Sequence, residues 1–264
     1  MSPKSLRFYT LIGLLTGLLA GFLSGLGGVG GGVLMIPMMT ALGRLSQHEA
    51  HGTSLVAIIF AGLAGTITYL VHDAVDWSVS LLLAAAAMLT TNAGARYAHS
   101  LPELKLRKAF GLFVLFVSLM MFMKGWVLHA VFTSHGWQKI LILSVSGVFA
   151  GFISGLMGVG GAVFMIPSMV LLVGMTQQVA QGTCLLAMVF IGASSAFAHY
   201  RLGNVHKPIV GGLVAGAIVG VFAGGTLANT IPESALRVIF ATMGIIVGVR
   251  FMRSKGLRQR RLMQ

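Results

Sequence analysis

Two glycine-rich segments of one design, Gly25-Leu-Gly-Gly-Val-Gly-Gly-Gly-Val-Leu-Met-Ile-Pro37 and Gly155-Leu-Met-Gly-Val-Gly-Gly-Ala-Val-Phe-Met-Ile-Pro167, stand 130 residues apart in apolar sequence. Hydrophobic segments broken by Gly and Pro at corresponding places in two halves are the pattern of a membrane carrier whose substrate site forms at discontinuous helices. The register extends beyond the motifs. At the same offset Gly21 matches Gly151, Gly52-Thr53 matches Gly182-Thr183, Gly94 matches Gly224, Pro102-Glu103 matches Pro232-Glu233, and Arg107 and Phe110 match Arg237 and Phe240. Chance in apolar sequence yields scattered Gly and Leu identities, not an ordered series of polar and Pro positions. The chain therefore reads as an internal duplication, with one transmembrane repeat over 1–130 and a second over 131–264, together forming one transport domain.

Of 264 residues 56% are hydrophobic and 9% charged, with a mean hydropathy of +0.93. A soluble domain carries about 25% charged residues, so water is not the main solvent of this surface. Most of the apolar stretches approach the roughly 20 residues that a spanning helix needs. Those over 31–43 and 161–174, directly after each motif, fall short. The first stretch follows Lys4 and Arg7 as a signal peptide would, yet it runs into the motif without a small-residue cleavage pattern and reads as a retained helix. The expected fold is an all-α polytopic membrane protein with about 8–10 membrane segments.

The net charge of +13 resides in short joints and in a tail containing Arg250, Arg253, Lys255, Arg258, Arg260 and Arg261. That distribution argues against a nucleic-acid partner and for a cytoplasmic tail lying on anionic headgroups. The sole cysteine, Cys184, excludes an intrachain disulfide. With five helical segments per half, Lys4/Arg7, Arg44, Arg96 to Lys108, Arg201/Lys207 and the tail fall on the cytoplasmic side with both termini, and Asp73, Asp76 and Glu233 fall outside. An odd segment number inverts the second copy. The expectation is two inverted-topology repeats in the bacterial cytoplasmic membrane, each a glycine-interrupted helical hairpin followed by transmembrane helices.

Irregular backbone within a membrane must be covered by protein or line a cavity. Gly27, Gly28, Gly30, Gly31 and Gly32, with Gly158, Gly160 and Gly161, permit tight turns, and helices starting after them direct free N–H groups and positive dipole ends inward. This suits an oxyanion such as a sulfonate or sulfite; the alternative is that the glycines serve close helix contact alone. Pro37 and Pro167 are expected to kink or end the short helices. Ser24 and Ser154 precede the motifs and offer hydroxyls either to an anion or to their own helical turn.

A second polar group follows each short helix: Gln47, His48, Glu49, His51, Thr53 and Ser54, then Gln177, Gln178, Gln181, Thr183 and Cys184. Gln47/Gln177 and Thr53/Thr183 are repeat pairs, whereas His51 becomes Gln181; substrate lining competes with helix capping for these residues. Asn92 and Arg96 lie four apart on one helix face, where Arg96 either attracts an anion or snorkels to the interface. Gly62 and Gly65, and Gly211, Gly212, Gly216 and Gly220, supply small surfaces for helix contact.

The His-Glu-His run at 48–51 lacks the zinc-protease spacing, and no metal or other cofactor is expected. The glycine runs lack the Gly-Lys-Ser/Thr of a phosphate loop, so a gradient of substrate or of a coupled proton or ion is the expected energy source, with Glu49 and His51 as the proton candidates. An enzyme needs a convergent acid–base or nucleophilic group, and the ionisable residues are sparse and dispersed. An anion channel or a carrier of non-sulfur carboxylates is the competing transport class.

With these motifs the chain resembles the sulfite exporter TauE/SafE family of membrane permeases over essentially its whole length. The resemblance rests on Gly25 to Pro37, Gly52-Thr53, Gly94-Ala95 and Pro102 to Phe110, and on Gly155 to Pro167, Gly182-Thr183, Gly224-Gly225 and Pro232 to Phe240. It implies export of small sulfur-containing anions such as sulfite, sulfoacetate or related sulfonates, with the paired motifs in the transport path. The partners so implied are that anion and membrane lipids; a coupling proton or ion and a homo-oligomer are left open. Met157 in place of Gly27 and Ala162 in place of Gly32 make the half-motifs unequal.

Overall fold

A computed structural model describes residues 3–28, 31–97, 103–123, 136–158 and 160–253, and these residues are helical apart from short connections. In chain order the helices are α1 (Pro3–Gly27), α2 (Gly32–Leu42), α3 (Gln47–Leu70), α4 (Trp77–Tyr97), α5 (Glu103–Met123), α6 (Trp137–Met157), α7 (Ala162–Pro167), α8 (Gln177–Arg201), α9 (Lys207–Thr230) and α10 (Glu233–Arg253). A π-helical turn, Ser168–Val173, prolongs α7 from Pro167, whose missing N–H ends the regular ladder. Among the described residues six helices are long and apolar enough to cross a membrane: α3, α4, α6, α8, α9 and the Leu6–Gly27 part of α1. The short α2 and α7 follow the glycine motifs, as their sequence length requires.

Local sequence sets the helix starts. Ser46 and Glu49 form a capping box on α3, the Glu49 carboxylate accepting the Ser46 N–H at 2.9 Å and the Ser46 hydroxyl accepting the Glu49 N–H at 3.3 Å. Thr176, at the equivalent place before α8, accepts from the Val179 N–H at 3.4 Å. Glu49 is thus engaged as a cap.

Tertiary contact runs mainly between equivalent or exchanged helices of the two halves. α1 runs parallel to α9, with Gly13, Gly17, Gly21 and Gly25 against the carbonyls of Ile209, Leu213, Ala217 and Val221. In return Gly212, Gly216, Gly220 and Gly224 face the carbonyls of Thr10, Leu14, Leu18 and Phe22. Four-residue spacing keeps each set on one helix face, and the absence of Cβ lets the backbones touch where no hydrophobic drive exists between lipid-solvated helices. α6 lies on α4 in the same manner through Gly147, Gly151 and Gly155, but α4 answers with Gly94 and with Thr90, whose hydroxyl donates to the Val148 carbonyl at 2.7 Å. Gly211 faces open space and takes no part, contrary to its expected contact role, because it falls one residue off the glycine row.

α3 and α8 cross the centre antiparallel: Gly192 meets Leu55, Ile58 and Ile59, and Gly62 meets Leu185. α5 and α10 are likewise antiparallel, Gly244 against Ser118 and Gly248 against Gly111. At one end of the bundle Tyr9 of α1 lies on His206 (ring centroids 4.7 Å), and the His206 N–H donates to Thr53 at 3.0 Å. At the opposite end the Asp76 N–H donates to Thr183 at 2.8 Å and the Gln178 amide reaches the Ile231 carbonyl at 3.3 Å. Helix directions carry Arg44, Arg96, Arg201, Lys207, Arg250 and Arg253 to the first end, and Asp73, Asp76 and Glu233 to the second.

Candidate functional site

Each glycine motif closes a helix by the same turn. The N–H of Gly28 donates to the Ser24 carbonyl at 2.6 Å with φ +69°, and that of Gly158 donates to the Ser154 carbonyl at 2.8 Å with φ +67°. Only glycine adopts this left-handed conformation without steric cost. Each turn is then seated on the other half of the chain. Gly28 lies on Gln181 of α8, where an added Cβ would stand 2.7 Å from Gln181 Cγ, and Gly158 lies on His51 of α3, at 3.1 Å from its Cα.

The carbonyl three residues before each turn also meets a side chain from the opposite wall. The buried Tyr69 hydroxyl is 2.9 Å from the Gly25 carbonyl and 2.9 Å from Gln181 Oε1. His199, also buried, places Nε2 3.3 Å from the Gly155 carbonyl and Nδ1 3.4 Å from the Asn204 amide. Around the second turn Ser54 donates to the carbonyls of His51 (2.8 Å) and Gly158 (3.2 Å), and the hydroxyls of Ser154 and Ser195 are 3.5 Å apart. The two turns occupy opposite ends of α3: His51 and Tyr69 are eighteen residues apart, roughly 27 Å along the helix.

Past the turns the chain doubles back and the short helices begin nearer the middle of the bundle. Gly31 (φ 73°) and Gly161 (φ 77°) occupy the N-cap positions of α2 and α7, and neither helix has a side-chain cap. The Gly31 carbonyl accepts from Leu34 and Met35 at 3.0 and 2.9 Å, whereas the first N–H groups of a helix have no acceptor within it. A cavity of about 230 Å³ opens here, between Ser24, Gly31 and Val33 on one side, Val163 of α7 on another, and α5 and α10. Val33 and Val163 are repeat equivalents, so both post-glycine helices border one space. Apart from Ser24 and Ser118 its wall is apolar, including Leu23, Val117, Phe240, Met243 and Val247, and it contains no charged side chain among the described residues. The Ser24 hydroxyl is buried in this wall without a hydrogen-bond partner. Such a space suits an apolar body against its wall, with the start of α2 and the buried Ser24 side chain at its edge.

The structure brings together some of the sequence candidates and separates others. Ser24 and Gly31 reach the cavity. Gly27, Gly28 and Gln181 form the first turn; Ser154, Gly158 and His51 form the second. Gly160 meets Met188 and Ile58, and Gly161 lies 2.7 Å, as an added Cβ, from the Ala150 carbonyl. Gln177 is fully buried one helical turn before Gln181, whereas its counterpart Gln47 is half-buried at the opposite end. The Thr53 and Thr183 hydroxyls accept from the backbone N–H groups of His206 and Asp76, tying connections between the halves. Asn92 and Arg96 are exposed on α4, outside both turns and the cavity wall. Pro37 lies within α2, and Pro167 marks the change from α to π. Gly30 and the basic tail beyond 253 lie outside the described residues. Tyr69, His199, Ser195 and Asn204 are not among the sequence candidates; the signal for Tyr69 and His199 is a polar side chain at the same repeat position in α3 and α8, and Ser195 and Asn204 have no polar counterpart. No group of three or more His, Cys, Asp or Glu side chains suited to a metal occurs among the described residues.

Six apolar spans, broken helices and a cavity bordered by both breaks define a multi-pass transport protein of the inner membrane. The chain belongs to the sulfite exporter TauE/SafE family, whose model matches residues 12–251. That family places it among membrane anion transporters rather than enzymes. It is similar to the probable membrane transporter protein YunE of Bacillus subtilis, 25% identical over 245 residues that cover 84% of this chain and 89% of the relative. YdhB of the same organism, also a probable membrane transporter protein, is 22% identical over 224 residues (83% and 90%). A probable membrane transporter protein of Xylella fastidiosa strain Temecula1 is 27% identical over 229 residues (85% and 87%). No solved structure matches.

Proposed function

We propose that the protein exports small sulfur-containing anions, such as sulfite, sulfoacetate or related sulfonates, by alternating access. The observation that carries this reading is a cavity bordered by both Val33 and Val163, with the unpartnered Ser24 hydroxyl and the uncapped start of α2 at its edge. The positive dipole end of α2 lies at that edge and favours an oxyanion over a cation. Residues 1–130 and 131–264 act as two inverted repeats of one transport domain. The antiparallel contact of α3 with α8 and of α5 with α10 supports that reading, because a two-fold axis in the membrane plane relates antiparallel equivalents. Both termini are cytoplasmic; the basic character of that end of the bundle supports this orientation.

Flux of radiolabelled sulfite, sulfoacetate and taurine into proteoliposomes, with pH and voltage gradients imposed separately, tests the proposal. Saturable, protein-dependent exchange of a sulfur anion is expected, with loss of at least tenfold in Gly160→Leu, whose side chain must enter the space held by Met188. Conductance at single-channel rates replaces the carrier by a channel, and flux of carboxylates alone removes the sulfur assignment.

A further inference from the structure

Gln177 is fully buried at the start of α8, and neither its amide oxygen nor its amide nitrogen has a hydrogen-bond partner. One turn later on the same face, fully buried Gln181 also leaves its amide nitrogen unpartnered. Leaving such a group unpaired and out of water destabilises a fold, and here three atoms on one face share that condition. Apolar residues of the same length would fill the space without that penalty. Gln181 is moreover oriented: its backbone side is pinned against Gly28 and its Oε1 lies 2.9 Å from the Tyr69 hydroxyl. The repeat equivalents differ in just this respect, since Gln47 and His51 are partly exposed at the other end and can be hydrated.

We infer that Gln177 and Gln181 form a second binding station for the oxyanion head of the transported substrate, between the first glycine turn and the end of the bundle that carries Asp73, Asp76 and Glu233. This rests on the carrier reading above and adds a site to it. Amide N–H groups hold an oxyanion without a fixed positive charge, so the head can leave again as readily as it arrives. The station is closed here: the 71–76 connection ties to α8 through Asp76 and Thr183 (2.8 Å), and Gln178 holds the Ile231 carbonyl at 3.3 Å. Those two contacts must part before the amides meet solution.

The experiment is Gln177→Met in full-length protein, with thermal unfolding in detergent without ligand and sulfite and sulfoacetate flux in proteoliposomes. The expected result is a melting temperature about 2–4 °C higher, because an unpartnered polar group has gone, and a KM raised roughly ten- to hundredfold by loss of a hydrogen bond to an ion. A lower melting temperature shows that the amide is paired in the native protein and overturns the inference, as does an unchanged KM. A wild type that moves neither probe rejects the sulfur-anion reading instead, and the melting comparison then decides whether the amides are unpartnered. Gln177→Leu repeats the test should the Met variant fail to insert.

Discussion

The first glycine turn sits on one neutral amide, Gln181, and a tyrosine; the second sits on two histidines and a row of serines. Backbone geometry is nearly the same in both, with φ +69° at Gly28 and +67° at Gly158. The difference lies in the wall supplied by the opposite half. The Tyr69 hydroxyl donates to the Gly25 carbonyl, whereas His199 opposite Gly155 offers a donor or an acceptor according to its tautomer. Burial differs as well: Gln181 is fully covered and His51 is partly exposed. The two matching segments thus share the break and differ in their surroundings.

The largest effect that would sharpen this comparison is expected from alanine at the turns. Gly28→Ala combines the left-handed backbone with overlap on Gln181 and should cost about 2–4 kcal/mol, against about 1–2 for Gly158→Ala, which has slightly more room. Equal losses of melting temperature would mean that the opposing wall does not matter. Next in size, Tyr69→Phe strips a buried carbonyl and a buried amide of their shared partner, at about 1–3 kcal/mol. His199→Phe should cost less, since its contact with Gly155 is longer at 3.3 Å. The reverse order in thermal unfolding would break the reading of the first turn as the firmer one. Smallest in stability are Ser24→Ala, which removes an unpartnered buried hydroxyl and should raise the melting temperature slightly, and Ser154→Ala, which loses a 3.5 Å contact with Ser195 and should lower it slightly, each by about 1 kcal/mol or less. Flux should separate them, falling severalfold only for Ser24→Ala, because Ser24 and not Ser154 borders the cavity.

Much of the architecture could be read from the chain. The 130-residue register, the short helices after the motifs and the small-residue faces follow from spacing alone, and so does the capping box at Ser46 and Glu49. The site was legible only in part. Gly28, Gly158, Gln181 and His51 were named as candidates, but nothing in the sequence showed that each glycine turn would rest on a residue of the other half. Tyr69 and His199 escaped because the duplication holds their position while changing their chemistry. Thr53 and Thr183, substrate-lining candidates by sequence, also tie the backbone of His206 and Asp76, a contact that depends on where a distant connection passes.

The sequence by itself determined that this chain lives in a membrane, that it is duplicated, and where its helices must break. Those properties depend on residue type and local spacing: apolar length, the missing Cβ of glycine and the missing N–H of proline. Only the tertiary structure decided which breaks share a cavity and which buried polar atoms go unpaired. Hydrogen bonding and close contact across the α3–α8 crossing depend on distances between residues more than one hundred positions apart, as with Tyr69 and Gln181, and no local pattern encodes them.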